Sequence, residues 1–493
     1  MTTLEHTVAI SLKAPVPDAA SWRSRHDALK RPYDLADNEL LARQRQRESN
    51  ARSYPRRLPI ALARARGIYA EDVAGRVFID CLAAAGTLVL GHNHPVAREA
   101  MERALREELP LQTLDLTTPV KDQFTQDLLS LLPSEFAARA RIQFCGPAGT
   151  DAIEAAVKLV KTATGRSTML SFHGGYHGMS YGALSLMGSL GPKRALPGGM
   201  MPDVQFLPYP YSYRCPFGLG GQAGETAGLR YIQTILTDPE SGVRPPAGMV
   251  LEAVQGEGGV VPAADSWLRE LRRITRAAEV PMILDEVQTG LGRTGRMLAF
   301  QHADIVPDVI VMSKAIGGGL PMSVIIYDEA LDRWAPGAHA GTFRGNQLAM
   351  AAGSATIRFV RAERLDRHAE AMGLRLRRHL VELQRSHPFI GDVRGRGLML
   401  GMEVVDPSAA PGPATSVGPG PRPPHGKLAS ALQLACIRRG LIVELGGRDG
   451  STMRFLPPLI ITEHEIDHVA EIVDAACRAA PVDQIASARL ADR

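Results

Sequence analysis

Val280-Pro-Met-Ile-Leu-Asp285 and Asp308-Val-Ile-Val-Met-Ser-Lys314 decide the fold. Each is a short, unbroken apolar run, and such runs predict strands buried on both faces, as in a parallel sheet covered by helices. Both runs end on an ionisable group. Upstream the pattern recurs. Arg141-Ile-Gln-Phe-Cys145 leads into Gly146-Pro-Ala-Gly149-Thr150, Thr168-Met-Leu-Ser-Phe172 into His173-Gly-Gly-Tyr176-His177-Gly178, and Gly248-Met-Val-Leu-Glu252 into Gln255-Gly-Glu257-Gly-Gly259. In an open parallel sheet, ligands bind outside the carboxyl ends of the strands, so these five turns are predicted to converge on one pocket.

An amine and a carboxylate at one sheet edge suit pyridoxal phosphate (PLP). That cofactor needs a lysine for its Schiff base and an acid to keep its pyridine nitrogen protonated, so that the ring can draw electrons from a carbanion. Taken singly, Asp285 could cap a turn and Lys314 could be solvated, since charged residues are mostly exposed. Their neighbours favour the ring. Gln288 lies three residues past the acid, and Gly317-Gly318-Gly319 leaves room beside the lysine. The turn before the amphipathic helix bearing Ile153, Val157 and Val160 is a phosphate cradle by its free amides and helix dipole, a weak signal alone. Tyr176 is placed as an aromatic plate. His173 and His177 have the spacing of a helical metal pair, but the glycines between them argue against a helix and against zinc. His92 and His94 lack carboxylate or cysteine company and read as loop and cap residues.

At 493 residues and net charge +4, the chain is enzyme-sized and too weakly basic to argue for nucleic acid or an acidic membrane. Residues 43–66 are rich in arginine without interleaved aromatics and read as a solvated helical face. No run reaches the ~18 apolar residues of a membrane span, and no apolar core follows a basic start. The five cysteines are too scattered for zinc or C-x-x-C spacing, so a reducing cytoplasm is the expected setting.

Residues 1–50 are predicted to be an arm with some helix and little core of its own. Residues 51–94 open a small domain with a hairpin turning at residues 72–75, residues 95–365 form the large cofactor domain, and residues 366–493 complete the small one. Residues 191–224 read as a surface excursion near the site. Residues 407–426, crowded with Pro and Gly, read as a mobile insertion.

Gly290-Leu-Gly292-Arg-Thr-Gly295 matches G-x-G-x-x-G, which raises a NAD-dependent oxidoreductase as the rival reading. The fingerprint requires its first glycine at a strand-to-helix turn. Here Asp285-Glu-Val-Gln-Thr289 intervenes, and no convincing helix follows. Instead Leu284-Asp-Glu-Val-Gln-Thr-Gly-Leu-Gly-Arg-Thr-Gly295 and Ser313-Lys-Ala-Ile-Gly-Gly-Gly319, in that order, resemble the class III (subgroup II) PLP aminotransferases over residues 54–461. The resemblance implies an α/β, fold-type I enzyme. It would have a large, mainly parallel seven-stranded sheet, a smaller α+β domain from both chain ends, and a homodimer with shared active sites.

By resemblance, Lys314 forms the Schiff base and shuttles the proton, Asp285 pairs with the pyridinium nitrogen, and Gln288 bonds the ring hydroxyl. Gly149 and Thr150 hold the phosphate, Tyr176 stacks on the ring, and Thr342 reaches the phosphate of the neighbouring subunit. Arg454 is the carboxylate-binding arginine and Glu257 the acid that covers it, a role suited to bidentate guanidinium geometry. Many of these ω-aminotransferases carry an arginine for the distal carboxylate at the position of Met179. A narrower resemblance, to the diaminobutyrate group, rests on residues 48–56, 176–188 and 208–217. It implies transfer of the 4-amino group between L-2,4-diaminobutanoate and 2-oxoglutarate, supplying siderophores or other specialised products. Tyr54 is then a substrate contact, or else a packed aromatic at the domain boundary. Ornithine, lysine, 4-aminobutyrate and acetylornithine remain rival donors.

Overall fold

The computed structural model describes residues 18–194, 196 and 199–480. The expectations for residues 1–17 and 481–493, and for residues 195, 197 and 198 of the excursion, therefore fall outside the described residues. A seven-stranded sheet forms the centre. From edge to edge it runs Ala140–Phe144, Val324–Asp328, Val309–Met312, Met282–Asp285, Gly248–Leu251, Met169–Phe172, Val204–Leu207. Val324–Asp328 is antiparallel to both neighbours, and the pairs among the five strands from Val309–Met312 to Val204–Leu207 are parallel.

The unbroken apolar runs follow from burial on both sides. Val250, Ile283, Val309, Val311 and Ile325 face one way, against Ala152, Ala156 and Val160 of helix Gly149–Thr164. Met249, Leu251, Met282, Leu284, Ile310 and Ile326 face the other way, into the largest core cluster. With no strand face left to water, the period-2 alternation of a half-exposed sheet is absent.

Residues 191–224 are more than an excursion. Strand Val204–Leu207 forms the sheet edge and helix Gly221–Thr237 begins there. The strand was hidden because an edge strand with partly exposed residues lacks the apolar run of its neighbours. The described part of the arm is anchored to the body of the protein. Its helix Ala19–Asp27 buries Trp22 completely in the main core, and His26 Nε2 lies 2.9 Å from the Gly440 carbonyl.

Both chain ends meet in smaller sheets. Leu62–Arg66, Tyr69–Asp72 and Val77–Asp80 form an antiparallel meander, and Leu441–Ile442 joins it in parallel beside Val77–Asp80. A second sheet, Ile390–Arg396, Met399–Val404, Thr452–Phe455 and Glu444–Gly446, carries Arg454. Its first strand was not foreseen. The Pro/Gly-rich insertion lies against residue 219, whose carbonyl accepts from the Ser416 amide at 2.8 Å and hydroxyl at 2.7 Å.

The glycine motif at residues 290–295 is a clasp. Arg293 is fully buried and donates to the carbonyls of Leu398, at 3.0 Å, and Pro457. A Cβ on Gly397 would come within 2.5 Å of the Thr294 backbone. A Cβ on Gly290 would lie 2.8 Å from the Glu286 carbonyl oxygen, so the turn is shaped by close backbone approach.

Lys314 opens a short 3-10 turn, Lys314–Gly317, that lies on helix Gln347–Ala362. Gly353 makes that approach possible, since a Cβ there would sit 2.0 Å from the Ile316 carbonyl oxygen. Gly353→Ala is expected to cost about 1–3 kcal/mol through overpacking. It should lower the melting temperature and loosen the Lys314 turn, which thermal denaturation and cofactor absorbance would register together.

Candidate active site

The strand-end turns do converge. A cavity of about 250 Å³ outside the carboxyl ends of the parallel strands is lined by Gly149, Thr150, Tyr176, Asp285, Gln288 and Lys314, with His177, Glu252 and Glu257 completing the wall. Asp285 and Lys314 follow adjacent parallel strands in register, Leu284 opposite Ile310 and Asp285 opposite Val311. Strand pairing alone therefore brings acid and amine to one edge.

Asp285 is 5% exposed. Its Oδ1 accepts from the Val287 amide at 3.0 Å, and its Oδ2 lies 2.8 Å from His177 Nδ1. Sequence reasoning weighed His177 only as a metal ligand. Its position directly after the aromatic plate was the available signal. Burial lowers the proton affinity of the His177 imidazole, but the hydrogen bond and charge of Asp285 outweigh it and the net shift is upward. Glu252, also unforeseen here, accepts from the amides of Tyr176 at 3.0 Å and Gly256 at 2.8 Å. Burial pushes its carboxyl up to about 7, against the pull of His177.

Lys314 stands in the left-handed region at φ 48°, an uncommon conformation for a residue with a side chain and one that concentrates at working sites. Burial lowers its amine pKa, while Glu257 and Asp285 pull the other way. Gln288 donates from Nε2 to the Ala85 carbonyl at 3.0 Å, and its Oε1 is buried without a partner. That carbonyl is presented by a left-handed turn, Ala83, Ala84 and Ala85 having φ of 47°, 50° and 57°. Asp80 holds the turn through the amides of Leu82 and Ala83, both at 2.9 Å, and is itself 2.8 Å from His92 Nε2.

Gly149 opens its helix against Val287, whose methyls would lie 3.0 Å from an added Cβ. The Thr150 hydroxyl is engaged with Ser180 Oγ at 2.6 Å, and accepts from the Ser180 amide at 3.1 Å. An anion at this helix start would therefore meet backbone N–H groups and the helix dipole. The cavity offers what a phosphorylated pyridine aldehyde requires. A depressed amine, a paired acid, a helix N-terminus, an aromatic side chain and an orphaned amide oxygen all face it.

Arg454 is fully buried behind Glu257. Its Nη2 lies 2.6 Å from Glu257 Oε1 and 2.7 Å from Glu444 Oε2, while Nε and Nη1 are buried without partners. Burial lowers the guanidinium pKa, but the two acids outweigh it and the net shift is upward. Glu444 was missed. A lone acid inside the apolar run Leu441-Ile-Val-Glu444-Leu445 was its only trace. The Tyr54 hydroxyl donates to Glu444 Oε1 at 2.7 Å, so Tyr54 reaches the Arg454 cluster rather than the cavity wall. Thr342 stands on an exposed turn outside this cavity.

The class-III aminotransferase family model matches residues 50–477, and the chain belongs to that family. It is a PLP-dependent enzyme of fold-type I, with a large mixed-sheet domain and a smaller α+β domain. The chain is 57% identical over 443 residues to a diaminobutyrate–2-oxoglutarate aminotransferase of Rhizobium meliloti, covering 90% of this chain and 93% of the relative. A Haemophilus influenzae protein of the same name is 50% identical over 434 residues, covering 88% of this chain and 94% of its own. Among solved structures, an (S)-enantioselective ω-transaminase from Thermomicrobium roseum superposes with a TM-score of 0.76 at 26% identity, covering 94% of this chain and 99% of that one.

Because the neutral amine is the nucleophile, covalent uptake of PLP by the apoenzyme is expected to rise with pH around a midpoint below the 10.5 of free lysine. Glu257→Gln removes a negative charge and should move that midpoint lower still. Stopped-flow absorbance across the alkaline range tests both. A midpoint at or above the free-lysine value contradicts the assignment.

Proposed function

We propose that this enzyme transfers the 4-amino group between L-2,4-diaminobutanoate and 2-oxoglutarate, giving L-aspartate 4-semialdehyde and L-glutamate. The observation that carries the substrate reading is likeness across 90% of this chain to a relative named for that pair of substrates. PLP, when bound, holds the amino group in transit and accepts the electrons released when the adjacent C–H bond breaks.

The chain's own residues supply the rest. Lys314 Nζ, its pKa lowered by burial, takes the proton from the donor carbon and returns it at the other end of the transfer. Asp285, oriented by His177, holds a proton at the ring nitrogen. The helix starting at Gly149 and Thr150 binds the phosphate through amides and dipole. Tyr176 covers one ring face and keeps water from it, and Gln288 bonds the ring hydroxyl. Thr342 of the partner subunit reaches the phosphate in a homodimer with shared sites.

Arg454 supports the alternation between substrates. Once Glu257 withdraws from Nη2, that vacated position pairs with Nε or Nη1, both unpartnered among the described residues, as the fork that captures the α-carboxylate of glutamate or 2-oxoglutarate. Glu257, the more exposed of its two acids, is the one that moves. With Glu257 in place the guanidinium is neutralised and a terminal amine enters. With Glu257 displaced, a carboxylate enters instead. The scattered cysteines support a reducing cytoplasm, and flux toward diaminobutanoate would supply siderophores or other specialised products.

A donor panel with 2-oxoglutarate as acceptor, scoring glutamate, is expected to rank diaminobutanoate at least about tenfold above ornithine and 4-aminobutyrate in kcat/KM, the scale of one well-made polar contact. Faster turnover of either rival overturns the donor assignment. Asp285→Ala removes a buried partner of the kind worth about 3–5 kcal/mol. Its turnover should fall at least a hundredfold while the protein still binds PLP, and near-normal rates would show that another residue holds the ring nitrogen.

A further inference from the structure

Arg454 is met by two carboxylates where one would neutralise it. Glu257 and Glu444 share the same Nη2, so two acids meet one guanidinium, and burial raises the Glu444 carboxyl pKa against the pull of Arg454. Lys314 is the further cation that acts on it, and in the loaded enzyme that amine is committed to the cofactor.

The two acids are not equivalent. The Glu257 side chain is 33% exposed and forms part of the cavity wall. The Glu444 side chain is 8% exposed and sits on strand Glu444–Gly446, directly across an antiparallel pair from Arg454. Glu444 therefore stays when Glu257 moves. From its other side the Tyr54 hydroxyl donates to Oε1. A carboxylate offers about four acceptor sites. Tyr54 takes one on Oε1, while Oε2, 2.7 Å from Arg454 Nη2 as an ion pair, is buried without a hydrogen-bond partner among the described residues, so both oxygens keep an acceptor site to offer.

A fixed acid that shares its cation with a second carboxylate calls for a cationic ligand. We propose that Glu444, held by Tyr54 and Arg454, is a specificity residue that receives the spectator α-ammonium of the amino donor. This rests on the diaminobutanoate reading above, since that donor carries a second ammonium beside the one transferred. Recognition through the ammonium also removes the need for an arginine at the position of Met179. The same acid, left beside Arg454 when Glu257 is displaced, leaves the vacated Nη2 position and a neighbouring N–H to the acceptor's carboxylate.

Three donors separate the groups. L-2,4-Diaminobutanoate carries both the spectator ammonium and the carboxylate, 1,3-diaminopropane keeps only the ammonium, and 4-aminobutyrate keeps only the carboxylate. The experiment measures kcat/KM of each with 2-oxoglutarate for the wild-type holoenzyme, Glu444→Gln and Glu444→Asp, with PLP occupancy read by absorbance and melting temperature recorded for each protein. In Glu444→Gln the two diamines should lose roughly 10- to 100-fold, the scale of a charged hydrogen bond. 4-Aminobutyrate should change least, and Glu444→Asp should recover part of the diamine activity. Equal losses for all three donors would make Glu444 merely structural and overturn the proposal, as would diamines that are indifferent to Glu444→Gln. A wild-type enzyme that ignores diaminobutanoate overturns the substrate reading itself. One that prefers it, with the preference intact in Glu444→Gln, overturns the Glu444 assignment alone.

Discussion

A buried carboxylate must be paired, and Asp285 is the point where that requirement organises the sheet edge. An ionised acid in an apolar surround costs several kcal/mol unless hydrogen bonds and opposite charge offset it. His177 and the Val287 amide supply them. His177 is buried in turn, beside Glu252, which is held by two backbone amides. Three strand ends are thereby tied into one charge network. In the proposed function, a protonated ring nitrogen would sit where Asp285 already points.

The second charged cluster does a different task and is built differently. Arg454 belongs to the smaller sheet, yet Glu257 comes from the turn after Val254–Gln255, near the end of a large-sheet strand. The contact that covers the guanidinium therefore spans the two sheets. Arg293 reinforces the same junction through the carbonyls of Leu398 and Pro457, which flank two paired strands at one end of the smaller sheet. Two guanidiniums are fully buried at this boundary. Arg293 donates Nη1 to two backbone carbonyls, with Nε and Nη2 buried and unpartnered among the described residues, whereas Arg454 is met by two acids. Only the second lies behind an acid of the cavity wall, Glu257.

Backbone strain is present beside the cavity. Lys314 and the three successive alanines before Gly86 adopt left-handed conformations, each costing of order 1–2 kcal/mol for a residue with a Cβ. Such geometry persists only where neighbours over-determine it. Asp80 and His92 hold the alanine turn, and packing against Gly353 holds the lysine turn. The arrangement stiffens the two elements that present Gln288's partner and the amine.

What the sequence by itself determined is what is encoded locally. Unbroken apolar runs specify strands buried on both faces, and the polar residue ending each run lands at the sheet's carboxyl edge whatever the remaining topology. Asp285, Lys314 and the Gly149 turn were legible for that reason, Glu257 only through resemblance, and the lack of a strand-to-helix turn at Gly290 argued against a dinucleotide. What only the tertiary structure decided depends on partners distant in the chain. His177 acquires its meaning from an acid 108 residues away, and Tyr54 from one 390 residues away. The edge strand Val204–Leu207 and the burial of Trp22 depend on a sheet and a core assembled from elsewhere. Periodicity reports how a residue relates to its own element, whereas an ion pair across two sheets is set by how those elements pack, and no local pattern carries that.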